Sequence, residues 1–259
     1  MPSFFVSKLS DRAPAERLAL RGFSASGEIR SEALFPIADR PLRAWVHELR
    51  RGATFQWTEP PVGHAIYVLD GELQADNERL GRTAALLVEH GATATCTVTS
   101  DTARIVHFHR DDSIPEAPSR SGGHSHLVSS QGIFQFQSQG SRPHYGVIYA
   151  DSGCPNCELW LHASLEWGPN KPTTAHYHTT DEIIYVLDGS MMFGKREVGV
   201  GEAVAIDANT TYKFATGDRG LSFLNFRASE PYYIEFLKDG APPVSLNERD
   251  MLRGRPRSS

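Results

Sequence analysis

From about Ile29 onward the 259-residue chain runs as short apolar stretches broken by Gly, Pro and Asp. That spacing predicts many short β-strands joined by tight turns. Upstream, residues 11–22 predict one short helix: Asp11 and Pro14 open it, AERLALR follows, and Gly22 stops it. Near the end, Ser245-Leu246-Asn247-Glu248 has the spacing of a capping box and predicts a second short helix. The pattern also repeats. IYVLDG at residues 66–71 recurs at 184–189, an offset of 118 residues. At the same offset LGRTAALLVEHG (80–91) aligns with VGVGEAVAIDAN (198–209), and IVHF (105–108) with FLNF (223–226). Upstream the match continues at an offset of 115, Trp45-Val46-His47 against Trp160-Leu161-His162, so the second copy carries three extra residues in or near GPNKPTTA (168–175). The chain is therefore expected to be all-β, with two tandem copies of one β-unit. Residues 1–112 form the first copy, 113–123 a linker rich in Pro, Ser and Gly, and 124–259 the second.

One stretch of the second copy carries chemistry. HYHTTDEIIYVLDG (176–189) reads His176-x-His178, then Glu182, then Gly189. Histidines two apart on an extended segment share a side, and a turn brings Glu182 back towards them at the start of the next strand. Two neutral nitrogen donors and one carboxylate suit Fe, Mn, Zn, Ni or Co, with positions left open. The first copy has Thr58, Pro60 and His64 at the equivalent places, so it is expected to hold no metal in this way.

The spacing His-x-His-x3-Glu-x6-Gly resembles the first signature motif of the cupin superfamily. Seven residues lie between Gly168 and His176, where that family more often has five. The resemblance implies two tandem cupin barrels of the double-stranded β-helix, jelly-roll-like kind, with a few short helices. It also implies one divalent metal ion, in the C-terminal barrel, on His176, His178 and Glu182. The family's second motif brings another His. Here the matching stretch begins at Gly201 and has Asp207 and Asn209 at its turn, and Tyr212 stands in the His position. Tyr212 is open to three roles: ligand, hydrogen-bond partner beside the metal, or filler of space. The second is preferred, because a phenol of pKa about 10 ionises only with help. Tyr212 and His162 are the nearby polar groups expected to act on substrate.

A two-His, one-carboxylate set with open positions is associated with non-haem Fe(II) oxygenases. The best reading is Fe(II)-dependent dioxygenation of a small organic molecule. Redox-neutral chemistry at Zn, Mn or Ni is the nearest rival, and a non-catalytic small-molecule-binding barrel the alternative of another class. Other candidates read as structural. His107-x-His109 lacks a following Glu; His124-x-His126 sits just after the double Gly of the linker; Cys154-Pro155-Asn156-Cys157 is a lone C-x-x-C. Composition narrows the partners. A net charge of −5 gives no basic field for nucleic acid, no apolar run reaches membrane-span length, and three cysteines make no disulfide framework. The expectation is a cytoplasmic homodimer acting on a small molecule.

Overall fold

The computed structural model describes residues 3–14, 20–35, 40–111, 113, 120–129, 134–137, 145–151, 154–228, 233–237 and 244–247. These form two compact units. The N-terminal unit comprises Ser10–Ile133 with Cys154–Leu159, and the C-terminal unit comprises Met1–Leu9, Phe134–Gly153 and Trp160–Ser259. Every paired strand is antiparallel, and the long elements are strands, as the alternating pattern requires. In Thr93–Val98, for example, Ala94, Cys96 and Val98 are buried while Thr93 and Thr95 face solvent. Among the described residues no helix is long and apolar enough to cross a membrane.

The sequence repeat is a repeat of topology. In the N-terminal unit the main sheet runs, in spatial order, Ser125–Val128, Ala85–Val88, His64–Asp70, Thr102–Arg110, Leu42–Arg50, Ile29–Ala33, Ala13–Pro14. In the C-terminal unit the order is Phe4–Ser7, Ala203–Ile206, Glu182–Phe193, Ala215–Arg227, Trp160–Trp167, Tyr145–Ala150, Phe134–Gln137. Each IYVLDG copy thus sits on a central strand between matched neighbours. The edge strand beside each matched neighbour comes from an unexpected part of the chain. Phe4–Ser7 pairs with Ala203–Ile206, and Ser125–Val128 with Ala85–Val88. The compact units therefore differ from the division 1–112, 113–123 and 124–259 at residues 1–9, 124–133 and 154–159.

Each unit has its own apolar core. Trp57, Ile66, Val68, Leu86 and Ile105 centre one, and Ile184, Val186, Met191, Phe193, Val204 and Phe223 the other. Arg196–Gly199, paired on the far end of Glu182–Phe193, a five-stranded sheet in the N-terminal unit and a three-stranded sheet in the C-terminal unit complete the described strands.

The expected helix at Ser245 and the start of the one at 11–22 are corrected. Residues 9–11 make a single 3₁₀ turn, and Ala13–Pro14 pairs with Glu32 and Ala33 at the edge of the sheet, a place where proline's missing N–H costs no ladder bond. Residues 15–19 lie outside the described residues. Val244–Asn247 is a strand on Tyr233–Phe236, so a β-branched, alternating segment pairs with an open edge instead of starting a helix. The tail 253–259 and linker residues 114–119 also lie outside the described residues.

The glycine that closes the second IYVLDG does not turn a hairpin: it lies within the strand Glu182–Phe193, where the register with Ala215–Arg227 shifts. Gly189 has φ +68°, and a Cβ there would lie 2.1 Å from the Gly220 carbonyl oxygen. Gly194, at φ +64°, has nothing within 4 Å. Gly189→Ala is expected to destabilise the protein by more than ~2 kcal/mol, and Gly194→Ala by only ~1 kcal/mol. Thermal unfolding followed by circular dichroism separates the two; equal losses would contradict the account.

Candidate metal centre in the C-terminal unit

His176–His178 is a three-residue strand. Its backbone is fixed by reciprocal bonds between His176 and Tyr212, N to O, at 3.0 and 2.9 Å. The turn at 207–210 is tied to the same stretch: Asn209 N donates to the His178 carbonyl at 2.7 Å, and Ala208 N to Asp181 Oδ1 at 2.8 Å. Asn209 has φ +61°, a conformation that Asn tolerates better than most residues. These ties bring His176, His178, Glu182 and Tyr212 into one buried cluster.

Cross-strand register fills the opposite wall. His162 lies opposite Asn225, which lies opposite Ile184, and Trp160 lies opposite Arg227. Opposite residues share a face of the sheet, so these side chains are on the same side as Glu182, two residues before Ile184. Arg227 and Asn225 had no motif to announce them, yet both reach Glu182. Asn225 Nδ2 donates to Glu182 Oε2 at 2.8 Å, and Arg227 Nη2 donates to the same oxygen at 2.9 Å. The guanidinium also lies 5.8 Å from the centre of the Trp160 ring. The other carboxylate oxygen, Oε1, accepts from the Tyr212 hydroxyl and lies 3.7 Å from His178 Nε2. Glu182 and Arg227 are each 1% exposed. His162 is buried against Trp160, their rings 5.5 Å apart; it shares the wall without an assigned bond to Glu182.

Protonation follows from this geometry. Burial by itself drives the Glu182 carboxyl up, but His178, Arg227 and the hydrogen bonds from Tyr212 and Arg227 outweigh it and hold the carboxyl at about 2. Burial pushes His176 down to about 4, helped by His178, and His178 down to about 3, helped by Arg227. With both imidazoles neutral, Arg227 supplies the positive charge that keeps Glu182 ionised. Burial, and then the Glu182 carboxylate, push the Tyr212 phenol well above its usual value, so it stays a donor.

One tautomer can be derived. His176 Nδ1 lies 2.7 Å from the Thr174 carbonyl oxygen and must donate to it, which leaves Nε2 bare. His178 Nε2 lies 3.3 Å from Arg227 Nη2 and faces the same cluster. Two neutral imidazoles and an ionised carboxylate are the forms in which these groups bind a divalent ion, so the donor set fits one. Tyr212 Oη, 3.1 Å from His178 Nε2, lies between the His and the Glu.

The N-terminal unit carries different chemistry at the equivalent positions. Glu182, Asn225 and Arg227 correspond to His64, His107 and His109, all buried. Thr58, the counterpart of His176, is exposed. Ser31 Oγ, His47, His107 and His64 form a chain with separations of 2.7, 3.3 and 3.0 Å. Burial first, and then neighbouring histidines, lower the pKa of His47 to about 3 and of His64 and His107 well below the ordinary value. His47 and His107 can each donate one bond and accept one, and His64 ends the chain through Nδ1, so it runs without any charge.

Solved structures with similar folds can now be placed beside this one. Oxalate decarboxylase from Bacillus subtilis, studied for its Mn(II) centres, aligns with TM-score 0.60 and 16% identity over 90% of this chain and 79% of its own. A putative glyoxylate-induced protein from Pseudomonas aeruginosa aligns with TM-score 0.60 and 13% identity over 83% and 92%. YlbA from E. coli aligns with TM-score 0.58 and 14% identity over 87% and 90%. These are cupin-fold proteins, and at such identities the likeness is one of fold: this chain has the cupin β-fold. No family model matches the chain, and no curated relative does.

Two outcomes follow. Arg227→Met leaves the Glu182 charge buried without its cation and is expected to cost ~3–5 kcal/mol. The double variant Glu182→Gln/Arg227→Met is expected to recover part of that loss in chemical denaturation; a double variant no more stable than Arg227→Met would contradict the pairing. For the N-terminal unit, the buried histidines have folded pKa values below 6.5, so below that pH the unfolded chain binds more protons. Their contribution is full above the unfolded value and is lost as pH falls through it. Melting temperature should therefore drop as pH goes from neutral to about 4.5, whereas a flat profile would rule this out.

Proposed function

We propose that the chain is a bicupin whose C-terminal barrel holds one divalent transition metal on His176, His178 and Glu182 and acts on a small organic molecule. Fe(II)-dependent dioxygenation is the reaction this ligand set supports best. The observation that carries the reading is the buried cluster itself: two neutral imidazoles beside a carboxylate held ionised by the Arg227 guanidinium 2.9 Å away. A bound iron would offer open positions to substrate and dioxygen, both oxygen atoms ending in the product. The chain's own groups do the rest. Asn225 and Arg227 orient Glu182 through Oε2 and leave Oε1 towards His178. Tyr212 keeps its proton and presents a donor at Oη to whatever is bound beside it. Trp160 and His162 line the wall behind them and exclude water.

A second reading is Mn(II)-dependent, redox-neutral chemistry on a small carboxylic acid. What favours it is the likeness of fold to oxalate decarboxylase, a protein with Mn(II) centres.

Anaerobic reconstitution distinguishes them. The first reading expects one Fe(II) per chain, lost in His176→Ala/His178→Ala, and a high-spin ferrous–nitrosyl signal on adding nitric oxide. Oxygen uptake with members of a panel of small organic acids should follow. Tight Mn(II) with carbon dioxide release and no net oxygen uptake would favour the second. A protein that takes up neither metal in a manner sensitive to the His variants would sink both.

A further inference from the structure

His124-x-His126 and Cys154-x-x-Cys157, which looked unrelated in sequence, meet in the N-terminal unit. We infer that they form a second metal site, a closed Cys₂His₂ centre for Zn²⁺. One donor atom from each of the four side chains lies within 4.8 Å of all the others. His124 Nε2 and His126 Nε2 stand 3.0 and 3.1 Å from Cys157 Sγ, and His124 Nε2 stands 3.6 Å from Cys154 Sγ. In a tetrahedral zinc site, bonds of ~2.3 Å to sulfur and ~2.0 Å to nitrogen put N and S ~3.5 Å apart. The two imidazoles approach from perpendicular directions, their planes 87° apart, as ligands of one ion do. His124 Nδ1 lies 2.9 Å from the Gly122 carbonyl oxygen, to which it donates, and this leaves Nε2 bare for a metal.

The site is built into the fold. His126 lies on Ser125–Val128, paired with Ala85–Val88. Glu89 N donates to the His124 carbonyl at 3.0 Å, and Gly122 N to the Asn156 carbonyl at 2.9 Å. Arg120 donates to the Cys154 carbonyl. The fully buried Glu89 carboxylate accepts from the backbone N–H of Glu158 at 3.0 Å and of Leu159 at 3.2 Å, fixing the segment that carries the cysteines. Four protein donors leave no open position, so the role is structural: the ion staples residues 154–159 to 122–126.

In the structure the two cysteines are joined as a disulfide. That is the metal-free, oxidised form. A phosphine or thiol reductant supplies two electrons, and with two protons the bond becomes two thiols; Zn²⁺ then binds the thiolates as both protons leave to solvent. Cysteine sulfur and imidazole nitrogen in a tetrahedral arrangement favour zinc.

Cobalt reports on this site separately from the histidine–glutamate cluster, which has no sulfur. The full-length protein, reduced with a phosphine and freed of excess reductant, is titrated anaerobically with Co²⁺. Expected are thiolate-to-cobalt charge-transfer bands with tetrahedral d–d bands, saturating at one equivalent and abolished by one equivalent of Zn²⁺. The bands should be absent in unreduced protein and in Cys157→Ser, and lost or shifted in His124→Ala/His126→Ala. The wild-type titration needs no variant to fold. No charge transfer in reduced wild type, or an unchanged spectrum in the double His variant, would overturn the site.

Discussion

The Glu182 carboxylate is buried, ionised and shared. Arg227 and Asn225 hold one oxygen, and Tyr212 and His178 face the other. A charge so deep is sustained only by a partner of opposite sign and full hydrogen bonding. Other features of the C-terminal unit follow from that need. The guanidinium must reach inward from the Ala215–Arg227 strand, so its face is polar where its neighbours are apolar. The cation over Trp160 sets what can pack behind it. The neutrality of His178 is enforced by the same guanidinium.

The N-terminal unit shows the same scaffold without that charge. Its sheet has the equivalent order, and the same positions hold His64, His107 and His109. Neutral histidines joined in a hydrogen-bonded chain need no counter-ion. They also pack among Phe23, Phe55 and Trp57, where a charged pair would be costly to desolvate. One β-fold thus hosts an ion pair in one unit and an uncharged imidazole chain in the other.

Much of this was legible in the sequence because it is local. The offset between the IYVLDG copies marked matched central strands, and Asn209 marked a turn whose backbone needs positive φ, whereas Gly189 uses its positive φ at a shift of register inside a strand. What escaped was set by pairing between distant segments. Arg227 and Asn225 lie in an apolar run without spacing cues, and only register across the sheet turns them towards Glu182. The origin of the edge strands was hidden for the same reason, since Phe4–Ser7 resembles any short apolar start. His124, His126, Cys154 and Cys157 were each weighed alone and each read as structural; a turn and a strand bring them together. The expected helix at Ser245 failed because strand pairing outweighed a four-residue capping pattern.

The metal centre proposed for the C-terminal cluster is one ordered by Arg227. Anomalous scattering from crystals of protein loaded with Mn(II) or Fe(II), recorded at the metal's absorption edge, tests it most directly. The account predicts a peak bonded to His176 Nε2, His178 Nε2 and Glu182 Oε1, with Arg227 still on Oε2 and Tyr212 protonated beside the ion. No peak there, with the Tyr212 hydroxyl still bridging Glu182 and His178 at saturating metal, would contradict it.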